Sequence, residues 1–575
     1  MKKTKYFVVN ITLFITVLIL HACSNSLDPE AVTALIEKDV IYSYGNTQAT
    51  ANAIYTYLPD GLWNIDGAIM AAASDEAEYT IETNAIQKFN TGAWNAIDNP
   101  DGAWSKNFTG IYTANLLLTK CDSVRMDYLK YDPSPTAQQQ YKTNLENIHR
   151  WKYEARFLRA FFYFELIKRY GGVPLLKTTV GLKDDYRNIP RSSLSECVQF
   201  VVDECDSAAT VLPVKYADDD LGRATKGAAM ALKSRVLLYA ASDLFNDPSW
   251  AASYPHPELI SLTDGKSRQA RWEDAANAAA AVLSLAGTGY GLDPSYSNIF
   301  RTYNSPDIIL ARRNGWSNSF ESTNYPVGYD LGNSGATPTQ NLVDDYEMKD
   351  GTTFDWNNPV HAADPYSNRD PRLAYSILTN NVQFKGRAVE AYTGGADGKG
   401  VTRATRTGYY INKYIDPDLD LLQGYTSVHT WILIRFSEIY LNYAEAVNEV
   451  SGPNGKAVGV ITTARQAINN TVRKRVGLRL INTTNKDQFR EAIRHERRIE
   501  LAFEDHRLWD VRRWMIAPQT LGVPARGIEI TKNDTAFTYK VINVENRVFE
   551  SKMYFYPIPQ KELGIAKGWA QNPLW

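Results

Sequence analysis

A mostly helical protein interrupted by one long irregular region is what this sequence predicts, and three observations carry that expectation. Apolar residues recur at three- and four-residue steps through most of the first half and again after residue 430, the pattern of helices that bury one side. Between Thr288 and Thr430 that period gives way to Gly, Asn, Pro, Asp and Tyr, with only short apolar pieces, Ile308-Ile309-Leu310 and Gly408 to Ile415, that read as strands. Finally, Arg490 to Trp514 packs Glu491, Glu496, Glu500, Glu504, Asp505 and Asp510 among seven arginines, while Phe489, Ile493, Ile499, Phe503, Leu508 and Trp509 mark a broad apolar side on the same helices.

Charges on helices that must also bury apolar surface end up close to the core, where arginines persist only if carboxylates complete their hydrogen bonds. The alternation here supplies such partners at i,i+3 and i,i+4, so the stretch reads as an ion-pair lattice that fixes how helices cross. An acid/base pair is the competing reading. An Arg within one turn of every acid disfavours it, because a cation keeps a carboxylate ionised and spoils it as a general acid. His495-Glu496 opens like H-E-x-x-H, but Ile499 stands where the second ligand belongs, so no zinc site is expected.

Taken from the start, Lys2, Lys3 and Lys5 precede an apolar run from Tyr6 to Leu20 that is short for a membrane span, so residues 1–22 read as a signal peptide. Leu20-His21-Ala22-Cys23 resembles a bacterial lipobox, with His21 in place of the usual small residue. That resemblance implies an acylated Cys23 and a short tether, Ser24 to Glu30. Helices are then expected at Gln48 to Leu58, Gly102 to Val124, Gln139 to Tyr170, Ser193 to Val211, Ala224 to Ala241 and Arg271 to Leu285. Gly171-Gly172 and Pro174 end the third, and the Ala-rich faces of the last two suit close packing. Such pairs look like tetratricopeptide-type stacking, without its regular period. Helix is expected to return at Trp431 to Val450 and Ala457 to Arg475, ahead of the arginine-rich stretch, and the proline-spaced tail from Tyr554 to Trp575 to dock as an extended segment. The parts are 23–287 and 288–575, the latter comprising the loop-rich region 288–430, helices over 431–515 and the tail. No linker-like break separates them, which favours one body.

Composition narrows the function. With 62 basic and 64 acidic residues the net charge is -2, which leaves no electrostatic footprint for nucleic acid. No later apolar run is long enough to cross a membrane. Cys197 and Cys205 lie eight residues apart on one helix, roughly 12 Å along its axis, so they read with Cys121 as packed thiols. Asp416-Pro417-Asp418-Leu419-Asp420 opens like a calcium loop, but Leu421 and Ser427 replace its Gly and Glu, and no metal or cofactor is expected.

The resemblance to a known family rests on Arg156 to Leu175 (RFLRAFFYFELIKRYGGVPL), Arg223 to Ala241, Val343 to Gly351 (VDDYEMKDG), Asn368 to Leu373 (NRDPRL), Leu433 to Glu449, Glu496 to Trp514 and Tyr556 to Trp575. In this order the segments resemble the SusD/RagB family of outer-membrane lipoproteins. The resemblance implies a scaffold of tetratricopeptide-like helix pairs, a lipid anchor in the outer membrane at the cell surface, and capture of oligo- or polysaccharide for a SusC-like TonB-dependent transporter, with no catalysis. A glycoside hydrolase on a helical scaffold would need a carboxylate pair free of arginines, and a peptide-capturing protein would keep the scaffold alone; both stand as alternatives.

A sugar ring offers flat C–H faces and equatorial hydroxyls, so its site needs exposed aromatic rings with Asp, Asn or Arg beside them. Two loop segments have both. Asp75-Glu76 and Asn90 to Asn95 carry Trp94, and Arg313-Asn314-Gly315-Trp316 is followed by Tyr325. Trp94 and Trp316 are the expected platforms, with Asp75, Asn95 and Tyr325 as polar contacts; the competing reading lets either tryptophan cover core. Trp104, in register on its helix, is assigned to core, and Arg369 and Arg372 to ion pairs with Asp370 or Asp344.

Overall fold

Side-chain caps mark where the helices begin. Ser193 accepts from the Glu196 amide while Glu196 reaches back to the Ser193 amide, Thr225 caps at Ala228, Ser267 at Ala270, and Asn485 at Asp487 and Gln488. In the protein, described by a computed structural model over residues 43–180, 186–217 and 220–575, the helices that matter below are α1 (Tyr44–Tyr55), α2 (Ala103–Lys120), α3 (Pro135–Tyr170), α4 (Leu194–Val211), α5 (Lys226–Ala241) and α6 (Arg268–Leu283). The expected signal peptide, Cys23 and the tether lie outside the described residues. Gly171 ends α3 with φ +70°, a left-handed conformation, where a Cβ would stand 2.2 Å from the Leu259 carbonyl.

By backbone contacts residues 43–50 and 120–148 form one unit and residues 51–119 and 149–575 a second. In the smaller unit the Asn147 amide donates to the Tyr44 hydroxyl at 2.8 Å, and Cys121 is buried.

The larger unit is built on stacked helix pairs, as expected. α4 packs on α5, α5 on α6 and α6 on α7 (Phe436–Ser451), which in turn meets α8 (Ala464–Ile468) and α9 (Lys486–Glu500). Ala228, Ala229 and Ala231 on α5, Ala275, Ala276 and Ala279 on α6, and Ala444 and Ala446 on α7 are all buried, so the backbones approach closely. Cys197 and Cys205 are buried free thiols in that stack, and Trp104 is core.

The strands are few and all pair antiparallel. β1 (Ala77–Tyr79) pairs with β3 (Ala336–Pro338), β2 (Ile308–Ser317) with β4 (Ser427–Arg435), and β5 (Ala525–Asn533) with β6 (Ala536–Glu545). Two expectations change here. The helix expected from Trp431 starts only at Phe436, because Ser427 to Arg435 pairs with β2 as a strand, outward at Val428 and buried throughout from Trp431. The β5–β6 hairpin went unforeseen; it turns at Asp534, whose φ is +54°. The tail is extended apart from a helical turn at Gln560–Ile565.

Candidate functional site

The arginine-rich stretch forms α9 and α10 (Arg507–Arg513), and most of its charges from Glu496 onward are internal. Arg372 bridges Asp370 at 2.8 Å, Glu496 at 2.6 Å and Glu500 at 2.8 Å, and Arg435 holds Glu500 and Glu504 at 2.7 Å each. Arg497 meets Asp510 at 2.7 Å, and Arg513 meets Asp510 at 2.8 Å and Glu445 on α7. Burial alone would raise the Glu445 carboxyl, but Arg513 outweighs it and lowers it to about 2. Each of the acids just named is locked to a cation, which makes them a structural lattice; Asp505, between the two helices, stands outside it, and burial pushes its carboxyl up to about 7. Arg369 departs from expectation. Its guanidinium donates to the carbonyls of Tyr346 and Pro365 and stacks 4.0 Å over Phe354, and among the described residues it has no acid partner.

The lattice also absorbs one expected ligand contact. Asp75, just before β1, is buried between Arg498 and Arg507, whose Nε lies 2.9 Å from its carboxylate. Burial would raise its pKa, yet the two guanidinium groups hold it well below the usual carboxylate range. Asp75 is therefore an ion-pair partner and no sugar contact. Trp94 is likewise interior, with 3 % of its surface exposed. Phe89 and Tyr556 lie 5.0 Å away and the chain's last residue, Trp575, 4.8 Å away, so the docked tail covers the ring that was expected to face solvent. Asn95 is exposed, but its carbonyl oxygen accepts from the amides of Ile97 and Asp98 and so closes a local turn. Tyr325 is buried too; its hydroxyl donates to the carbonyls of Asp416 and Leu419 and pins the acidic loop. The Lys385 ammonium donates to the Pro417 and Leu419 carbonyls of that same loop at 3.1 and 2.6 Å.

Trp316 stands differently, 75 % exposed near the end of β2. Its orientation comes from a β-bulge. Arg313 pairs with Thr430 and Trp316 with Val428, so three steps on β2 match two on β4, and Asn314 and Gly315 share the extra space. Residues 428 and 430 lie on one face of β4, which puts Trp316 and Arg313 on that same outward face, while His429 and Trp431 point into the core. Beneath, Gly61 seats its loop on the Trp431 ring, and the Asn314 amide donates to Asp60 at 3.0 Å. His429 shares its core side with Glu321 at 2.8 Å, and this carboxylate raises the imidazole pKa against the opposing pull of burial. The ribbon under Trp316 is thus rigidly held.

Residues missed from the sequence complete the face. Tyr425 is 61 % exposed, and its carbonyl accepts from the Asn318 amide just past β2; Leu422 and Val428 are exposed as well. The signals were Gly315, a residue that tolerates a bulge, and the Gly424-Tyr425 turn. Of the five expected contacts only Trp316 presents an exposed ring, so the structure does not bring them into one site.

Comparison with known proteins fits this geometry. Residues 306–575 match the model of the SusD family, and residues 46–238 match a SusD-like model described as starch-binding, associating with the outer membrane. A SusD-like protein of Bacteroides fragilis superposes with a TM-score of 0.75 at 29 % identity, over 93 % of this chain and 98 % of that one. A SusD-like carbohydrate-binding protein from the same species gives 0.72 at 24 % identity, over 92 % and 99 %. SusD-like protein P25 of Formosa agariphila is 23 % identical over 441 residues, 72 % of this chain and 70 % of that protein. Both family models fall on this one chain, in the order in which its motifs run, on a fold of stacked helix pairs carrying short two-stranded ribbons, and the protein belongs to the SusD/RagB family.

Proposed function

We propose that this protein is a glycan-binding lipoprotein of the outer membrane that takes up oligo- or polysaccharide on the Trp316 face and passes it to a SusC-like TonB-dependent transporter without breaking bonds. The exposed Trp316 ring on a rigid ribbon carries the reading. An indole left in water on a fixed backbone forgoes roughly 2–3 kcal/mol of burial, and a flat C–H face recovers part of that without ordering a loop. Tyr425 offers a second ring beside it. Relatives support the ligand class, since two of similar fold are described as carbohydrate-binding and laminarin-binding. Membrane association is supported by the family description, and lipidation at Cys23 by the sequence alone. The ion-pair lattice leaves its acids held by arginines, which supports binding without hydrolysis.

Affinity electrophoresis against a panel of polysaccharides, followed by calorimetry on those that retard the protein, tests the site. Trp316→Ala is expected to weaken binding tenfold or more with an unchanged melting temperature. Undiminished binding in that variant removes the face from consideration. Reducing ends accumulating with time in the same samples would overturn the non-catalytic reading.

A further inference from the structure

Next to Trp316 the outward face of the ribbon carries a cation, Arg313. Arg313 is exposed, and its guanidinium lies 4.2 Å over the Tyr303 ring. Among the described residues no carboxylate is ion-paired with it. Neighbouring arginines are held by oxygen acceptors instead. Arg223, on the wall of the same hollow, is matched by Glu154 at 2.8 Å, and Arg312, one position back on β2, donates to the carbonyls of Thr56 and Leu58. Arg313 is instead held by a ring, which fixes the plane of the guanidinium and leaves its donor fork unused.

A cavity of about 130 Å³ opens beside it, lined by Lys215, Tyr290, Tyr303 and Thr430 among others. Lys215 is exposed and likewise has no carboxylate paired with it among the described residues. Its aliphatic stem crosses Gly289, where a Cβ would stand 2.8 Å from the lysine Cδ and where φ is +115°. Both bases are placed by uncharged contacts, so both charges remain available to a ligand. Because Arg313 and Trp316 pair with residues two apart on β4, their backbones are separated by about 7 Å along the ribbon. A sugar on the indole would set its neighbour's substituents within reach of the guanidinium.

We propose that the glycan bound here is anionic: its carboxylate or sulfate groups enter the hollow beside Trp316 and are held by the guanidinium of Arg313, with Lys215 as a second cation. The proposal rests on the glycan-binding reading above and names its ligand class. A planar carboxylate or a sulfate ester matches the forked donors of Arg in both charge and geometry, whereas a neutral hydroxyl accepts a single donor and offsets no charge.

The test uses the mature chain in affinity gels containing polygalacturonate, dextran sulfate or neutral dextran and laminarin, with Arg313→Gln, Lys215→Gln, Trp316→Ala and the distant charge control Lys474→Gln. Wild type is expected to be retarded by polygalacturonate or by dextran sulfate, which separates carboxylate from sulfate. Arg313→Gln should lose tenfold or more in affinity at an unchanged melting temperature, Lys215→Gln a smaller factor and Lys474→Gln none, and salt should weaken binding. Retardation only by neutral glucans, or anionic binding that survives Arg313→Gln, overturns the anion subsite and leaves the glycan reading standing. Failure to bind any polysaccharide removes both.

Discussion

Asp75 and Glu76 are neighbours in sequence, yet the protein drives their carboxyl groups in opposite directions. Asp75 has two guanidinium partners and stays ionised, whereas Glu76 accepts only the Phe503 amide at 3.3 Å, and one of its oxygens finds no partner. Burial first, and then the charge on Asp75, push Glu76 from its ordinary 4.5 up to about 8. Between those values the folded protein keeps a proton that the unfolded chain releases. The contribution is therefore complete below pH 4.5 and is lost as pH rises through 8. Asp75 behaves conversely; its stabilisation is present above its unfolded value and is lost on acidification. Glu76→Gln keeps that side chain neutral at every pH, so it is expected to gain roughly 2–4 kcal/mol over wild type by pH 8 and almost nothing at pH 4. Urea unfolding at several pH values checks this, and parallel curves for the two proteins would refute it. The sequence showed arginines in excess around the acids of 490–514. It could not show that Asp75 joins them from more than four hundred residues away, because that partnership is a contact between distant segments.

The β2–β4 ribbon is the element on which the proposed function depends, and it was only half legible. Ile308-Ile309-Leu310 reads as a strand, but its partner was read as the first turn of a helix, since Trp431, Ile432 and Phe436 fit a helical stripe as readily as a strand. Pairing decided the matter. With β2 alongside, the backbone groups of residues 427–435 are satisfied by a ladder, and the helix begins just past Arg435, which pairs with Ile308, the first residue of β2. The ribbon in turn rests on Gly61, where a Cβ would stand 2.0 Å from the Trp431 ring. Gly61→Ala must displace that ring or its own loop and is expected to cost about 1–3 kcal/mol. Calorimetric melting measures it, and a melting temperature equal to wild type would mean that the ring does not lie on this backbone. The same close approach explains why the loop at 59–63 packs there, through an absence of side chain that sequence pattern does not advertise.

At the scale of the molecule, the buried lattice of the larger unit joins segments that sequence separates widely: Asp370 and Arg372, Glu445 on α7, Arg473, and Glu496 to Arg513. Removing one member strands the rest. Arg372→Met would leave Asp370, Glu496 and Glu500 facing fewer cations in a dry interior, at a cost of about 3–5 kcal/mol. A denaturant midpoint lowered accordingly, with an unchanged slope, is the expected outcome; a wild-type midpoint would show that the lattice is dispensable. What the sequence determined by itself was local or compositional: which stretches are helical, where glycines and caps stop them, that charge must be buried after residue 490, and the family whose motifs run along the chain. Periodicity and capping act within a few residues, so they can be read without coordinates. Which rings face water was settled only by tertiary structure. Trp94 and Trp316 sit in similar polar loop sequence, yet the last residue of the chain covers one, and a bulge opposite β4 turns the other outward. Exposure belongs to whatever packs against a residue, and that neighbour lay hundreds of positions away in the first case and more than a hundred in the second.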